Sequence, residues 1–299
     1  MRRTLHTVAV GLIAATTVVF AAGPASAGEQ HPASPYVALG DSYSSAAGVA
    51  PFVPGSPVGC SRSELNYAHD IAARTHPGKF TDVTCSGART SDFFSPQAVT
   101  PPDPRVRPQL RAVTRNTRLV TMTIGGNDEG VFVDSFFGCA AVTAVTHDVN
   151  GDPCKQKYGD TFVDEIRTQT YANLVAALTA VRKKAPKATV AILSYPEILP
   201  EKGDIACFPV MPVSVGDVAW LNREQDVLNS VIRQAAAKTG ARFINMGPSS
   251  AGHDACQSPQ RRWIEPAVGP VNAFPIHPNA TGEAAMARQT LLQLGLIRH

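Results

Sequence analysis

Short apolar runs with high β propensity recur along this chain, and helical patterns fill several of the intervals between them. Each run is short enough to be a strand buried on both faces of a sheet. The runs are Tyr36–Leu39, Phe80–Thr84, Leu119–Ile124, Thr189–Leu193 and Arg242–Asn245, and the helical patterns span Phe162–Lys184, Asp217–Lys238 and Thr281–Leu294. This alternation predicts an α/β fold with a parallel sheet covered by helices on both faces. A sheet of this kind has its functional sites at the carboxyl ends of its strands.

The first 27 residues have the layout of a secretory signal peptide. Arg2 and Arg3 precede an apolar run over Val8–Ala22, and Ala25-Ser26-Ala27 forms a small-residue cleavage site. The alternative is an N-terminal membrane anchor, but the run is short for a span and no basic flank follows it. We therefore predict a signal peptide over 1–27, a single domain over 28–299, and a secreted, extracellular protein without a stable membrane anchor.

Composition narrows the class of protein further. Hydrophobic residues make up 44% of the chain and charged residues only 17%, which excludes a disordered or coiled-coil protein. The formal net charge is +3, and Arg2 and Arg3 of the predicted signal peptide contribute to it. A net charge this close to zero lacks the excess of basic residues that binding to nucleic acid or to an anionic membrane surface requires. We expect no nucleic-acid partner.

Six cysteines follow the predicted signal peptide, and an even number in an exported chain indicates disulfides. Pairing between sequence neighbours is the simplest arrangement because each bridge closes a modest loop, but sequence alone does not choose among the possible pairings. No CxxC or HxxxH spacing occurs, so we predict no metal site. The cysteines are Cys60, Cys85, Cys139, Cys154, Cys207 and Cys256.

Two short segments after the first two predicted strands carry residues suited to nucleophilic chemistry. Gly40-Asp41-Ser42 follows the first strand, where a serine hydroxyl is exposed above the sheet. The alternative is an ordinary turn in which Asp41 or Ser42 caps a helix. Gly87 follows the second strand, where the lack of a side chain lets a backbone N–H approach a reacting group. Its alternative is a helix-entry glycine beside a disulfide.

Two further segments supply a hydrogen-bond donor and a base. Gly125-Gly126-Asn127-Asp128 follows the third strand, and the Asn127 amide is suited to stabilising an oxyanion. The alternative is a hairpin or an Asx turn. His277 lies in a loop just before the last helix, and histidine is the usual base that activates a serine hydroxyl. A lone histidine is otherwise more often structural or exposed.

These four segments, in this order, resemble the sequence blocks of the GDSL or SGNH serine hydrolases. Ser42, Gly87, Asn127 and His277 match the four residues for which the family is named, and the strings TCSGART and GHDAC resemble secreted actinomycete lipases, esterases and phospholipases. The resemblance implies a flavodoxin-like three-layer α/β/α sandwich with a parallel five-stranded sheet. It also implies three disulfides between sequence neighbours: Cys60–Cys85, Cys139–Cys154 and Cys207–Cys256.

The same resemblance implies the role of each site residue. Ser42 would be the nucleophile and His277 the general base and later general acid. The backbone N–H groups of Ser42 and Gly87, with the Asn127 amide, would form the oxyanion hole.

One position departs from the family pattern. The family commonly has Asp three residues before the histidine, where this chain has Phe274. A backbone carbonyl near Phe274 or Pro275 would then orient the His277 ring, giving a dyad. Asp254, beside His253, is the alternative third member of a triad.

We therefore expect a monomeric, cofactor-free carboxylic ester hydrolase, a lipase or esterase, that acts through an acyl-enzyme on a small-molecule or lipid ester. The alternatives are a phospholipase A-type acyl hydrolase, a glycan or acetyl esterase, and a non-catalytic extracellular binding module. A nucleotide-binding protein is disfavoured because the sequence contains neither of the phosphate-binding motifs G-x-G-x-x-G and G-x-x-x-x-G-K-[ST]. The apolar segments Val131–Phe137 and Cys207–Val215 either line an acyl pocket or serve packing.

Overall fold

A parallel sheet of five strands forms the centre of the computed structural model, which describes residues 34–298. All five predicted strands are present, and each begins at the predicted residue. They are β1 (Tyr36–Ala38), β2 (Phe80–Asp82), β3 (Leu119–Met122), β4 (Thr189–Leu193) and β5 (Arg242–Ile244). The predicted signal peptide, 1–27, lies outside the described residues.

The strands lie in the order β2-β1-β3-β4-β5, and every neighbouring pair is parallel. Connections leave β1 toward one edge and β3 toward the other, so the chain reverses direction between these two central strands. In open α/β sheets this switch point opens a crevice at the carboxyl ends of the strands. The Ser42 and Asn127 segments follow β1 and β3 and therefore meet at this crevice.

The α-helices form two groups, one on each face of the sheet, as right-handed crossovers from the two central strands require. In chain order the helices of the described residues are α1 (Ser42–Ser45), α2 (Tyr67–Thr75), α3 (Gly138–Thr146), α4 (Pro153–Tyr158), α5 (Thr161–Glu165), α6 (Tyr171–Lys184), α7 (Val218–Thr239), α8 (Gly247–Ser250) and α9 (Ala280–Gln293). Helices α2 and α9 pack against each other, and α6 packs against α7. The three predicted helices correspond to α9, to α7, and to a continuous stretch in which a π-helical turn, Ile166–Thr170, joins α5 to α6.

Burial follows the sequence pattern except in the two edge strands and in one loop. Central-strand residues such as Val37, Met122 and Ile192 are buried as expected. All three residues of β2 are only partly buried, and in β5 only Ile244 is buried, because β2 and β5 are the edge strands. The loop over 198–216, which looks like a surface excursion from its sequence, instead packs Leu199 and Met211 into the core. Its apolar side chains bury more surface there than a solvated loop would.

Three disulfides cross-link segments that lie between or after the strands of the sheet. They join Cys60 to Cys85, Cys139 to Cys154, and Cys207 to Cys256, which is the pairing that the family resemblance implies. Cys85 of the first bridge lies two residues before Gly87, so this bridge ties the segment after β2 to the loop after β1. It therefore supports one wall of the crevice described above.

One helical stretch within residues 34–298, Asp128–Thr146, is long and apolar enough to span a membrane by length and composition alone. It combines a π-helical turn, Val133–Phe137, with α3. Val131 and Cys139 of this stretch are buried in the core, and the Cys139–Cys154 disulfide ties it to α4. These contacts tie one side of the stretch to the core of the domain.

Candidate active site

Ser42 begins helix α1 immediately after the turn that ends β1. Asp41 caps this helix, and its carboxylate accepts a hydrogen bond from the Tyr43 backbone N–H at 3.0 Å. Across residues 34–298, neither the backbone N–H nor the hydroxyl of Ser42 has a hydrogen-bond partner. Both groups of this nearly buried serine therefore remain available to a ligand.

The turn before Ser42 requires glycine. Gly40 has φ +125°, and a Cβ at this position would overlap the Thr123 carbonyl oxygen and the Ser44 hydroxyl. The buried side chain of Gln109 holds the turn from the other side: Gly40 N–H donates to its Oε1 at 2.8 Å, and its Nε2 donates to the Gly40 carbonyl at 2.9 Å. The approach of the chain to Ser42 is therefore fixed.

The carboxyl group of Asp41 is buried beside Ser42 and accepts several hydrogen bonds. The hydroxyls of Thr123 and Tyr195 and the Tyr43 N–H all donate to it. Burial raises the pKa of Asp41 to about 6, against the lowering effect of these three donors. Asp41 thus links the turn before Ser42 to Thr123 and Tyr195, which follow β3 and β4.

The Gly87 and Asn127 segments are fastened to each other. Asn127 Nδ2 donates to the Ala88 carbonyl at 3.1 Å, and the buried Asp128 carboxylate accepts from the Thr90 N–H and hydroxyl at 2.9 and 2.6 Å. Gly87 has φ +75°, and its N–H has no hydrogen-bond partner within the described part of the chain. One Asn127 amide hydrogen and the Gly87 N–H therefore remain free to donate.

His277 is held by its own loop. Its Nδ1 bonds the Pro275 carbonyl oxygen at 2.7 Å; a carbonyl only accepts, so Nδ1 carries the proton and Nε2 is the basic nitrogen. Ile276 between them has φ +56°, a strained conformation for a β-branched residue. The Tyr43 hydroxyl holds this conformation by donating to the Ile276 carbonyl at 2.6 Å. Tyr43 follows Ser42 directly, and its ring lies 5.3 Å from the His277 ring between centroids.

Burial lowers the pKa of His277 from its ordinary value of 6.5, while the hydrogen bond to Pro275 opposes that shift. A lowered pKa keeps the imidazole neutral, and Nε2 unprotonated, down to a lower pH than in a free histidine. We expect an NMR titration of the His277 ring, assigned by the signal lost in His277→Gln, to have its midpoint below pH 6.5. A midpoint at or above 6.5 would mean that the carbonyl outweighs burial.

The structure places the His277 loop against Tyr43, the residue after Ser42, whereas the carboxylate of Asp254 is used within its own turn. The carboxylate of Asp254 accepts from the Cys256 N–H at 2.9 Å and from the Gln257 amide at 3.0 Å. It therefore closes a local turn, and the acceptor for the His277 ring is the Pro275 carbonyl.

The two candidate acyl-pocket segments differ. In the segment over 131–137, the Phe132 ring lies 4.9 Å from the Tyr195 ring and 6.2 Å from the Tyr43 ring between centroids, so this segment borders the site. The segment over 207–215 borders a cavity of only about 10 Å³ together with Leu199 and Val218, and it serves packing. Within residues 34–298, no group of three His, Cys, Asp or Glu side chains is arranged to hold a metal ion.

Tyr195 is the site residue that the sequence reasoning missed. It lies two residues after β4, is buried, and its hydroxyl contacts both Asp41 and Gly126. Its position is a signal in the sequence, because the Ser42, Gly87 and Asn127 segments also follow strands of the sheet. Its residue type is not a signal, because a tyrosine after an apolar strand looks like an ordinary core aromatic.

Comparison with known proteins gives a consistent result. Residues 38–285 match the model of the GDSL-like lipase/acylhydrolase family. The chain is 45% identical to Lipase 2 of Streptomyces coelicolor over 290 residues, covering 97% of this chain and 94% of that protein. Among solved structures, the phospholipase A1 of Streptomyces albidoflavus and the extracellular lipase of Streptomyces rimosus each give a TM-score of 0.70, at 30% and 31% identity, covering 86% of this chain and 98% of theirs.

Proposed function

The chain belongs to the GDSL-like lipase/acylhydrolase family and is an ester hydrolase, and from this premise we propose that it cleaves carboxylic esters through an acyl-enzyme on Ser42. The observation that carries this proposal is the state of His277. Its Nδ1 donates to the Pro275 carbonyl, so Nε2 is the unprotonated, basic nitrogen. The loop that carries His277 is in turn bonded to Tyr43, the residue next to Ser42.

In the first half of the reaction, Nε2 of His277 takes the proton of the Ser42 hydroxyl as Oγ attacks the ester carbonyl carbon. The carbonyl oxygen becomes an oxyanion and accepts from the N–H groups of Ser42 and Gly87 and from the Asn127 amide. These donors are fixed before the substrate binds, so stabilising the charge requires little reorganisation. As the intermediate collapses, the C–O bond breaks and His277 gives its proton to the departing alcohol.

In the second half, His277 removes a proton from a water molecule as that water attacks the acyl carbon of the Ser42 ester. The same three donors stabilise the second oxyanion. Collapse releases the carboxylic acid, and the Ser42 oxygen regains its proton from His277. No step requires a cofactor.

We favour esters with a fatty acyl group as the substrate class. Phe274 stands where the family commonly has an acid; its side chain is 44% exposed, with its ring centroid 6.2 Å from that of His277. Phe132 provides a second aromatic ring near the nucleophile turn. Apolar rings beside the reacting groups favour an apolar acyl chain over a sugar. The relatives named as lipases support the same choice.

A phospholipase A-type activity is the second candidate, and similarity to the Streptomyces albidoflavus phospholipase A1 favours it. A glycan or acetyl esterase and a non-catalytic binding module are the remaining alternatives. By analogy with the extracellular Streptomyces rimosus lipase, we further propose that the protein is secreted. We also propose that it is monomeric and has no stable membrane anchor.

A substrate panel combined with active-site labelling tests this proposal. We expect kcat/KM for p-nitrophenyl esters to rise from acetyl to medium-length acyl chains, and a serine-directed phosphonate to abolish turnover and add its mass to the peptide that contains Ser42. Labelling of another serine would contradict the mechanism. An optimum at acetyl would favour the acetyl esterase, and preferred release of fatty acid from phosphatidylcholine would favour the phospholipase.

A further inference from the structure

The hydroxyl group of Tyr195 joins the two turns that carry the proposed oxyanion-hole donors. It accepts the backbone N–H of Gly126 at 2.8 Å and donates to the carboxylate of Asp41. Gly126 directly precedes Asn127, and Asp41 directly precedes Ser42. A single hydroxyl that follows β4 therefore connects the turns that follow β1 and β3.

The position of this hydroxyl is determined by contacts outside the two turns. The Tyr195 N–H donates to Asn229 Oδ1 at 2.9 Å, and Asn229 Nδ2 donates to the Tyr195 carbonyl at 3.0 Å. The ring meets those of Tyr43 and Phe132 edge to face, with centroids 5.1 and 4.9 Å apart. Helix α7 thus fixes the backbone of Tyr195 and aromatic packing fixes its ring, so its hydroxyl serves as a fixed point for both turns.

The direction of the hydrogen bonds is also determined. A carboxylate can only accept, so the single proton of the Tyr195 hydroxyl points to Asp41 and its lone pairs face the Gly126 N–H. The other oxygen of Asp41 accepts the Tyr43 N–H and the Thr123 hydroxyl. Both oxygens of this buried acid are therefore committed to holding the turns.

We propose that Tyr195 is a positioning residue of the oxyanion hole, which sets the distance between the Asn127 amide and the Ser42 N–H through Gly126 and Asp41. The proposal rests on the function assigned to Asn127 above. Tyr195 does not touch the reacting atoms, and it acts by holding the Gly125–Asn127 turn in the position from which Asn127 donates to the oxyanion.

A double-mutant cycle between Tyr195 and Asn127 tests the proposal. Tyr195→Phe removes the hydroxyl and keeps the ring; we expect it to lower kcat for a soluble p-nitrophenyl ester by about 10- to 100-fold with KM unchanged, as a donor displaced by a fraction of an ångström would. Asn127→Ala should lower kcat by about 10²–10³. In the Asn127→Ala background, Tyr195→Phe should cost no more than about threefold, because the donor that it positions is gone.

Tyr36→Phe is the matched control. The Tyr36 hydroxyl is also buried and bonds the Thr121 hydroxyl at 2.7 Å, at a position within the sheet. We expect this variant to lose stability to a similar degree and to keep kcat near that of the unaltered enzyme. A similar fall of kcat in both tyrosine variants would mean that the loss at Tyr195 reflects general destabilisation.

The outcomes separate this proposal from the function on which it rests. An unchanged kcat for Asn127→Ala would refute the role of Asn127 itself. A normal loss for Asn127→Ala combined with additive losses in the double variant, or with an unchanged kcat for Tyr195→Phe, would refute only the positioning role. If Tyr195→Phe does not fold, amide hydrogen exchange of the unaltered protein decides: the Gly126 amide should be protected, and exchange at the rate of a free amide would overturn the proposal.

Discussion

Replacing Ser42 by alanine is expected to lower kcat for a soluble ester by about 10⁵–10⁶, the effect of removing the nucleophile from a serine hydrolase. The Ser42 hydroxyl would form the covalent bond to the acyl group, and no other group described at the site is placed to substitute for it. Because this hydroxyl has no hydrogen-bond partner among residues 34–298, its removal should leave the thermal unfolding midpoint almost unchanged. Both quantities are measurable on one preparation.

Ser44→Ala is the matched control in the same helix. The Ser44 hydroxyl contacts the Thr123 hydroxyl at 2.7 Å and accepts the Thr123 N–H at 2.8 Å, so its loss should destabilise the fold by about 1–3 kcal/mol while leaving activity within about tenfold. Near-normal turnover by a folded Ser42→Ala protein would refute the acyl-enzyme mechanism. An inactive Ser44→Ala protein with native stability would mean that the helix, and not only Ser42, determines activity.

The second large effect is expected at His277, where substitution by alanine should lower kcat by about 10⁴–10⁶ because Ser42 loses its base. Asp254→Asn should retain activity within about tenfold, whereas the loss of a true triad aspartate costs about 10⁴ in kcat. The reason is geometric: the His277 ring donates to the Pro275 carbonyl, and the Asp254 carboxylate is used by its own turn.

Both variants should be compared with the unaltered protein by circular dichroism and by kcat at a pH above 7, where an imidazole of lowered pKa is neutral. A loss of 10³ or more in a natively folded Asp254→Asn protein would establish a triad and exclude the carbonyl as the orienting group. Retained activity in His277→Ala would remove the general base from the mechanism altogether.

The features of the fold that depend on local pattern were predictable from the sequence. The apolar runs predict all five strands, and β4 and the starts of the other four agree with the structure to the residue. Burial on both faces accounts for the lack of polar alternation in the central strands, whereas the edge strands β2 and β5 are less buried. The ends of β2 and β3 were placed two residues too far along, since their apolar side chains continue into the turns that carry the site. An apolar run in a sequence reports which residues are buried, whereas the end of a strand is defined by its hydrogen bonds to the neighbouring strand. The two need not stop at the same residue.

The groups that orient the site were predictable only in part. Because position 274 lacks the acid that the family commonly has, the sequence predicts a backbone carbonyl near Phe274 or Pro275 as the acceptor of the His277 ring, and the structure has the Pro275 carbonyl there. Every residue has such a carbonyl, so no residue type marks which one accepts. Tyr195 could not be predicted, because burial alone accounts for an aromatic residue there and its hydroxyl contacts Asp41 and Gly126, which lie far away in the chain.

The carbonyl that holds the His277 ring has a consequence for how this loop can change. A side-chain acid in this role would be lost by a single substitution, whereas a peptide oxygen is supplied by any amino acid at position 275 and is robust to mutation there. Position 274, where the family commonly has an aspartate, need not carry a charge here, and the partly exposed ring of Phe274 lies beside the imidazole. In this loop the backbone therefore orients the His277 ring, and the side chain at position 274 is free to vary. We therefore expect substitutions of Phe274 to change selectivity for the acyl chain while the His277 ring keeps its hydrogen bond to the Pro275 carbonyl.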